Sequence, residues 1–268
     1  FKQKTAYEIR NCDWSSDVCS SDLVTRSSTR FAVGSVQVDA LQLPDAVALL
    51  ISAERPRTVH LCNAYTVALA ERDPVLRDCL SVSELNLADG YPIAWVARRR
   101  GLRHMKERAS GPDLMRECLD SGRATGVRHF LYGSTPEVIA SMVEHIQGRW
   151  PGTQVVGAES PPFRETTEAD RRAAAERFEH CGADIVWVGL GTPKQDFEVE
   201  RLSKVSSATF VAIGAAFDFI AGTKRQPPRW VRRCGLEWAF RLATEPRRLW
   251  RRYLVGIPRF LRIVWRKW

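Results

Sequence analysis

Between Asp184 and Glu200 the chain reads DIVWVGLGTPKQDFEVE, an order of residues that few folds accommodate. Ile185-Val186-Trp187-Val188 is a short apolar run of the kind that forms a strand buried on both faces, and such strands belong to parallel sheets covered by helices. Gly189-Leu190-Gly191-Thr192-Pro193 then turns sharply. Thr192 is expected to cap the following helix, with Pro193 at its first position. Lys194 and Gln195 fall in the first turn of that helix. Two glycines let backbone approach a ligand, and free N–H groups beside Lys194 favour an anion there. The stretch therefore predicts a strand, a loop and a helix that hold a phosphorylated ligand. An ordinary strand-to-helix turn with a surface lysine is the competing reading.

From Phe31 onward the same alternation recurs. Strands are predicted at Val33–Val38, Thr58–Cys62, Leu85–Ala88, Val127–Tyr132, Gln154–Gly157 and Thr209–Gly214, besides the run after Asp184. Helices are predicted at Pro44–Ala53, Ala64–Arg72, Pro74–Val82, Ile93–Arg100, Pro112–Ser121, Glu137–Arg149 and Glu168–His180, besides the one at Pro193. Strands alternating with helices specify an α/β fold: a doubly wound, mainly parallel, Rossmann-like sheet with helices on both faces. Ligands of such sheets sit beyond the carboxyl ends of the strands. Asn63, Asp89, Gly133, Gly189–Gln195 and Gly214–Asp218 all fall at those ends.

Charge divides the chain a second time. Lys224–Trp268 holds two Lys and twelve Arg against Glu237 and Glu245, a net of +12, while the whole chain is +9, so the residues before Lys224 sum to −3. Five of the nine Trp lie in the same segment, and Leu249, Tyr253, Leu254, Ile257, Phe260, Leu261 and Val264 recur at helical spacing. Arginine-rich helices with Trp and Leu on one face suit an anionic membrane surface. A helical hairpin packed on the sheet domain with a solvated basic face is the plainer alternative, and no nucleic-acid-binding motif accompanies the charge. The segment is read as a basic helical appendage, residues 224–268, following an α/β domain at 24–223. Phe1–Leu23 repeats Cys-Asp-Trp-Ser-Ser-Asp as Cys-Ser-Ser-Asp without helix or strand period; it resembles a translated sequencing adapter, or else a disordered arm, and is given no function. The start lacks the apolar core of a signal peptide, and no apolar run reaches the ~18 residues of a membrane span. The seven scattered cysteines include no CxxC pair and no zinc spacing, which suits buried thiols in a reducing cytoplasm.

Eight segments in fixed order carry a resemblance: CNAYTVALAERDP, LNLADGYPIAW, ASGPDLM, FLYGSTPEV, VVGAESPPF, VGLGTPKQDFE, IGAAFDFIAGT and GLEWAFRLATEPRRLWRRYL. From about Val33 to its end the chain resembles the WecG/TagA/CpsF glycosyltransferases, family 26 of the glycosyltransferase classification. The resemblance implies metal-independent, inverting transfer of an N-acetylmannosamine-type or related hexosyl unit from a UDP-sugar to a polyprenyl-diphosphate-linked sugar. It implies a peripheral location on the inner face of the bacterial cytoplasmic membrane, with no cofactor and no nucleic acid as partner; homo-oligomerisation stays open.

An inverting transfer needs a base for the acceptor hydroxyl and cationic or N–H groups for the departing diphosphate. The resemblance implies Asp89 as that base, although Asp-Gly is by itself a common turn pair. Asn63 matches the family's Asn after the second strand, with Leu61 where Thr is frequent. Gln195 matches the polar residue of the PKQ motif and is expected to contact donor or acceptor; Asp196 follows where Glu is common. Gly189, Gly191, Thr192 and Lys194 complete the loop. Asp218 lies in a second acidic turn, for which a helix cap or a structural carboxylate is an equal reading. Arg241, Arg248 and Arg251 match the appendage arginines and would hold phosphate oxygens, with Pro246 expected to interrupt their common stripe. No Asp-x-Asp occurs, so the oxygen ligands usual for Mg or Mn are not gathered in sequence. Two other classes compete: a dinucleotide-dependent enzyme, disfavoured by the lack of GxGxxG after a first strand, and a non-enzymatic membrane adaptor, which leaves Asp89 and Gln195 without a role.

Overall fold

The computed structural model describes residues 29–105, 109–228, 231, 234 and 236–266. Among them, eight strands form one sheet in the order β1-β2-β4-β3-β8-β7-β5-β6. These are β1 (Arg30–Val33), β2 (Val36–Asp39), β3 (Thr58–Cys62), β4 (Leu85–Ala88), β5 (Arg128–Gly133), β6 (Gln154–Glu159), β7 (Ile185–Gly189) and β8 (Thr209–Ala212). All pairings are parallel except β1 with β2. The expected α/β architecture is therefore present, with one correction at its edge. Val33–Val38 is not a continuous strand. Gly34 has φ +65° and with Ser35 forms a two-residue turn, so the alternating residues on either side pair with each other as a hairpin. Arg30 Nε bonds Asp39 Oδ1 at 3.0 Å across that hairpin, and Asp39 Oδ2 accepts the Asn86 N–H at 2.8 Å from β4.

The helices are α1 (Leu43–Ile51), α2 (Ala64–Ala70), α3 (Pro74–Val82), α4 (Tyr91–Arg99), α5 (Gly111–Thr125), α6 (Pro136–Arg149), α7 (Glu168–His180), α8 (Lys194–Leu202), α9 (Ala216–Ile220), α10 (Glu237–Thr244), α11 (Pro246–Trp250) and α12 (Gly256–Arg266). Side chains alternate across each strand, so each face of the sheet needs its own cover. Val59, Leu61, Leu85, Leu87, Leu131, Trp187 and Val211 share one cluster with residues of α1, α5, α6 and α9. The opposite face carries two separate clusters. One joins Val33, Cys62 and Ala88 to α2, α4 and α12; the other joins Phe130, Tyr132, Val186 and Phe210 to α7 and α8. His60, fully buried on β3, lies on the face between them and pairs with Asp196 of α8.

The C-terminal segment is built into this core. Phe260 and Val264 of α12 are 1% and 8% exposed and pack in the same cluster as Phe31, Val67 and Ile93. Glu245, at φ −133° and ψ 58°, separates α10 from α11, so the expected break falls where Pro246 starts a new helix. A π-helical turn at Arg251–Val255 then leads into α12. Pro258 accounts for it: with no N–H it cannot bond the Leu254 carbonyl, and its ring crowds that turn. No helix among the described residues is long and apolar enough to cross a membrane.

Candidate active site

The chain reverses its direction of travel across the sheet between β3 and β8, which are neighbours although far apart in sequence. In open parallel sheets such a switch point leaves a crevice at the strand ends. A cavity of about 170 Å³ lies there, lined from the strand ends by Asn63, Asp89, Gly191 and Gly214. Its wall includes the first residues of five helices: Tyr65 of α2, Tyr91 of α4, Gly111 of α5, Gln195 of α8 and Ala216 of α9. Helix dipoles at such ends favour an anion; the N–H groups of Tyr65, Thr66, Gln195 and Ala216 are themselves bonded within the protein. The tail closes the remaining side with Glu237, Trp238, Arg241, Arg252, Tyr253, Gly256 and Ile257.

Asn63 sets the geometry of the acid. As N-cap of α2 its Oδ1 accepts from the N–H groups of Tyr65 and Thr66, at 3.0 and 3.1 Å. With the oxygen committed, the amide nitrogen points the other way and donates to Asp89 Oδ2 at 3.3 Å. The Asp89 N–H donates to the Cys62 carbonyl at 3.0 Å, tying the acid's backbone to the end of β3. Ala109 bonds the Ala88 carbonyl at 3.1 Å and brings Ser110–Pro112 alongside. Gly111 is required there: a Cβ would come 3.0 Å from Leu61 Cδ1 and 3.1 Å from the Ile213 carbonyl oxygen. Leu61 itself lines the cavity as an apolar wall, so no hydroxyl reaches the site from that position.

The Gly189–Gln195 loop differs in detail from expectation. Pro193, not Thr192, is the N-cap of α8, and Thr192 makes no capping bond; the Thr192–Pro193 peptide is cis. The Gly191 N–H is not available to a ligand, because it donates to Gln195 Oε1 at 3.0 Å. Gln195 Nε2 lies 3.5 Å from Thr192 Oγ1. Gln195, 4% exposed, thus braces the loop from beneath while lining the cavity. Gly189 serves packing, since a Cβ there would meet the Phe217 ring at 2.7 Å. Neither Gly189 nor Lys194 lines the cavity, and Lys194 is exposed.

Asp218 is placed beside the cavity rather than in its lining. Its carboxylate pairs with Lys224 at 2.7 Å, and Lys224 also reaches Glu245 at 3.1 Å, so the acid ties the tail to α9. Arg241 lines the cavity, stacked 4.8 Å from the Phe219 ring and paired with Glu237 at 3.0 Å. Its Nε is buried without a partner among the described residues. Arg251 is exposed and stacks on Trp250, whereas the unanticipated Arg252 lines the cavity over Tyr65 at 4.8 Å. The Arg248 side chain lies outside the described residues. Burial raises the Tyr253 hydroxyl above its ordinary pKa, keeping it a neutral donor beside Arg241. Burial likewise raises the Cys62 thiol, which stays protonated behind Asp89. Arg252 and Tyr253 were hidden in sequence by five arginines within Arg247–Arg259; the periodicity break at Pro258 was the available signal.

A doubly wound sheet with a cavity at its switch point is the arrangement in which α/β proteins bind ligands beyond their strand ends. The comparisons narrow this. The profile of the glycosyl transferase WecG/TagA/CpsF family matches residues 31–268, and the chain belongs to that family of glycosyltransferases. It is similar to the N-acetylglucosaminyldiphosphoundecaprenol N-acetyl-beta-D-mannosaminyltransferase of Bacillus spizizenii, 31% identical over 196 residues that cover 73% of each chain. The dinucleotide-enzyme and adaptor readings fall away with this assignment.

Proposed function

We propose that the chain moves an N-acetylmannosamine-type or related hexosyl unit from a UDP-sugar to a polyprenyl-diphosphate-linked sugar, with inversion and without a metal, in making a cell-surface polysaccharide or teichoic acid. The name of the Bacillus relative supports the acceptor class. The observation that carries the reading is the Asn63–Asp89 contact inside a cavity walled by helix N-termini. In the transfer, the acceptor hydroxyl oxygen attacks the anomeric carbon opposite the UDP oxygen. Its proton passes to Asp89 as the carbon–oxygen bond to UDP breaks, and UDP leaves carrying the added charge. Helix N-termini, Arg241 and Arg252 face that charge. Gly191, Thr192 and Gln195 shape the same wall. The metal-free route follows the family resemblance and the lack of an Asp-x-Asp pair in the sequence.

The tail supports docking on the inner face of the cytoplasmic membrane. Trp250, Leu254, Leu261 and Trp265 are 45–86% exposed. Leu261 and Trp265, four residues apart, share one face of α12, and the exposed Arg247, Arg251, Arg259, Arg262 and Arg266 lie along the same segment. Purified protein screened with UDP-sugars and a lipid-diphosphate-linked sugar acceptor tests the reading: one donor should give product, and Asp89→Asn should keep nucleotide binding while losing ~10²–10⁴-fold in turnover. Absence of product from every UDP-sugar, or near-normal turnover by folded Asp89→Asn, refutes the activity or the base respectively.

A further inference from the structure

A dense basic cluster outside the tail lies at the end of α4 and in the turn after it, where Arg98, Arg99, Arg100 and Arg103 fall within six residues that hold no Asp or Glu. Arg99, Arg100, Arg103 and His104 are exposed. Two of the cations are stacked on aromatic rings of the same helix, Arg98 over Tyr91 and Arg99 over Trp95, each 5.2 Å from the ring centroid. A guanidinium held over a ring keeps N–H groups for phosphate oxygens, and the ring suits the headgroup level of a bilayer.

Where α4 sits makes this more than a solvated basic turn. Its inner residues Ile93, Val96 and Ala97 share a cluster with Phe260 and Val264 of α12. Both helices also start at the active-site cavity, which Tyr91 and Pro92 line from one and Gly256 and Ile257 from the other. Two basic, aromatic elements thus leave the cavity mouth and cover the same half of the same sheet face. We infer that the Arg98–Arg103 turn of α4 is a second membrane-contact element, which with α12 sets the protein on an anionic lipid surface with the cavity between their starting points. The inference rests on the membrane reading of the tail and goes beyond it. A single amphipathic helix leaves a bound protein free to pivot, whereas two linked contacts fix its orientation and multiply its affinity. Lipid is favoured over nucleic acid because the exposed Leu254, Leu261 and Trp265 gain from an acyl boundary and not from a phosphodiester backbone.

The test uses the full chain and vesicles of phosphatidylcholine with or without phosphatidylglycerol. Partition is compared for the native sequence, Arg99→Gln/Arg103→Gln and Arg262→Gln/Arg266→Gln. Each double change should lower partition onto anionic vesicles about 10–30-fold, with turnover of a short soluble acceptor unchanged. Arg99→Lys/Arg103→Lys should retain binding, which separates lost charge from lost fold. If the α4 variant partitions like the native chain while the tail variant does not, the inference is overturned and the tail reading stands. If the native chain does not distinguish anionic from neutral vesicles, both fall. Equal loss in the Lys variant, or preference for duplex oligonucleotide over vesicles, also overturns it.

Discussion

Asn63→Ala removes two interactions made by opposite ends of one amide, and a companion substitution separates them. Loss of the Oδ1 bonds to the Tyr65 and Thr66 N–H groups uncaps α2, at a cost of about 1 kcal/mol. Loss of the Nδ2 contact to Asp89 removes a hydrogen bond to a carboxylate. Such bonds are worth about 1.5–3 kcal/mol. At 3.3 Å this one belongs at the low end. If its role is to aim Asp89, turnover should fall about tenfold beyond any effect of stability. Asn63→Asp keeps an equally good cap but sets a second carboxylate where the amide donor was. Its melting temperature should stay near that of the native chain. Its turnover should fall below that of Asn63→Ala at neutral pH, with the acid limb of the pH–rate profile moved to higher pH, because adjacent carboxylates oppose each other's ionisation. Thermal melts with turnover of a soluble acceptor across pH decide it. An Asn63→Asp enzyme with native melting and native turnover would refute the idea that the amide positions Asp89.

Three further outcomes are expected. Phe260→Ala should cost about 3–5 kcal/mol by emptying a buried site, lowering the melting temperature by roughly 6–20 °C; a loss under 1 kcal/mol in urea titration would mean that α12 does not dock. His129, held neutral by burial and accepting the Trp187 Nε1–H at 3.2 Å, has its pKa lowered to about 4. Its contribution is complete above the unfolded value of about 6.5 and is lost as pH falls toward 4, about 2 kcal/mol being gone at pH 5; His129→Gln should flatten that part of the urea-midpoint profile, and an unchanged slope would contradict it. Turnover should survive EDTA, and complete inhibition reversed by Mn or Mg would overturn the metal-free mechanism.

Much of the fold was legible because buried parallel strands are continuous apolar runs. Thr58–Cys62 and Leu85–Ala88 emerge with the boundaries expected of them. The hairpin at Gly34 was missed since Val33, Val36 and Val38 keep an alternating look across a two-residue turn. At the site, Asn63, Asp89, Gly191, Thr192 and Gln195 line one cavity with strand-end position as their common signal, while Arg241, on α10, joins them through the appendage motif. Arg252 and the loop-bracing posture of Gln195 were not legible. Which of several arginines faces inward depends on helix phase, and that phase shifts at the π-helical turn before Pro258. Whether an amide faces ligand or loop depends on a single backbone N–H, that of Gly191.

The polar seam on the second sheet face explains how the cavity is held without filling it. His60 Nδ1 lies 2.9 Å from Asp196 Oδ1, both groups under 2% exposed, and the Cys79 thiol donates to the Asp196 carbonyl at 3.2 Å. Burying such groups is costly unless they are paired, so an apolar sheet face would be more stable there unless the pair does something that packing does not. Its place in the chain says what: His60 stands three residues before Asn63, and Asp196 directly follows Gln195. One bond in the interior therefore fixes β3, which delivers the acid's partner, against α8, which delivers the loop wall. Opposite sides of the cavity are held in register from behind, and their tips need no mutual contact across the space a substrate must enter. An Ile or Leu pair would fill the seam and leave the register of β3 against α8 to side-chain shape alone, whereas a hydrogen bond adds a direction to it.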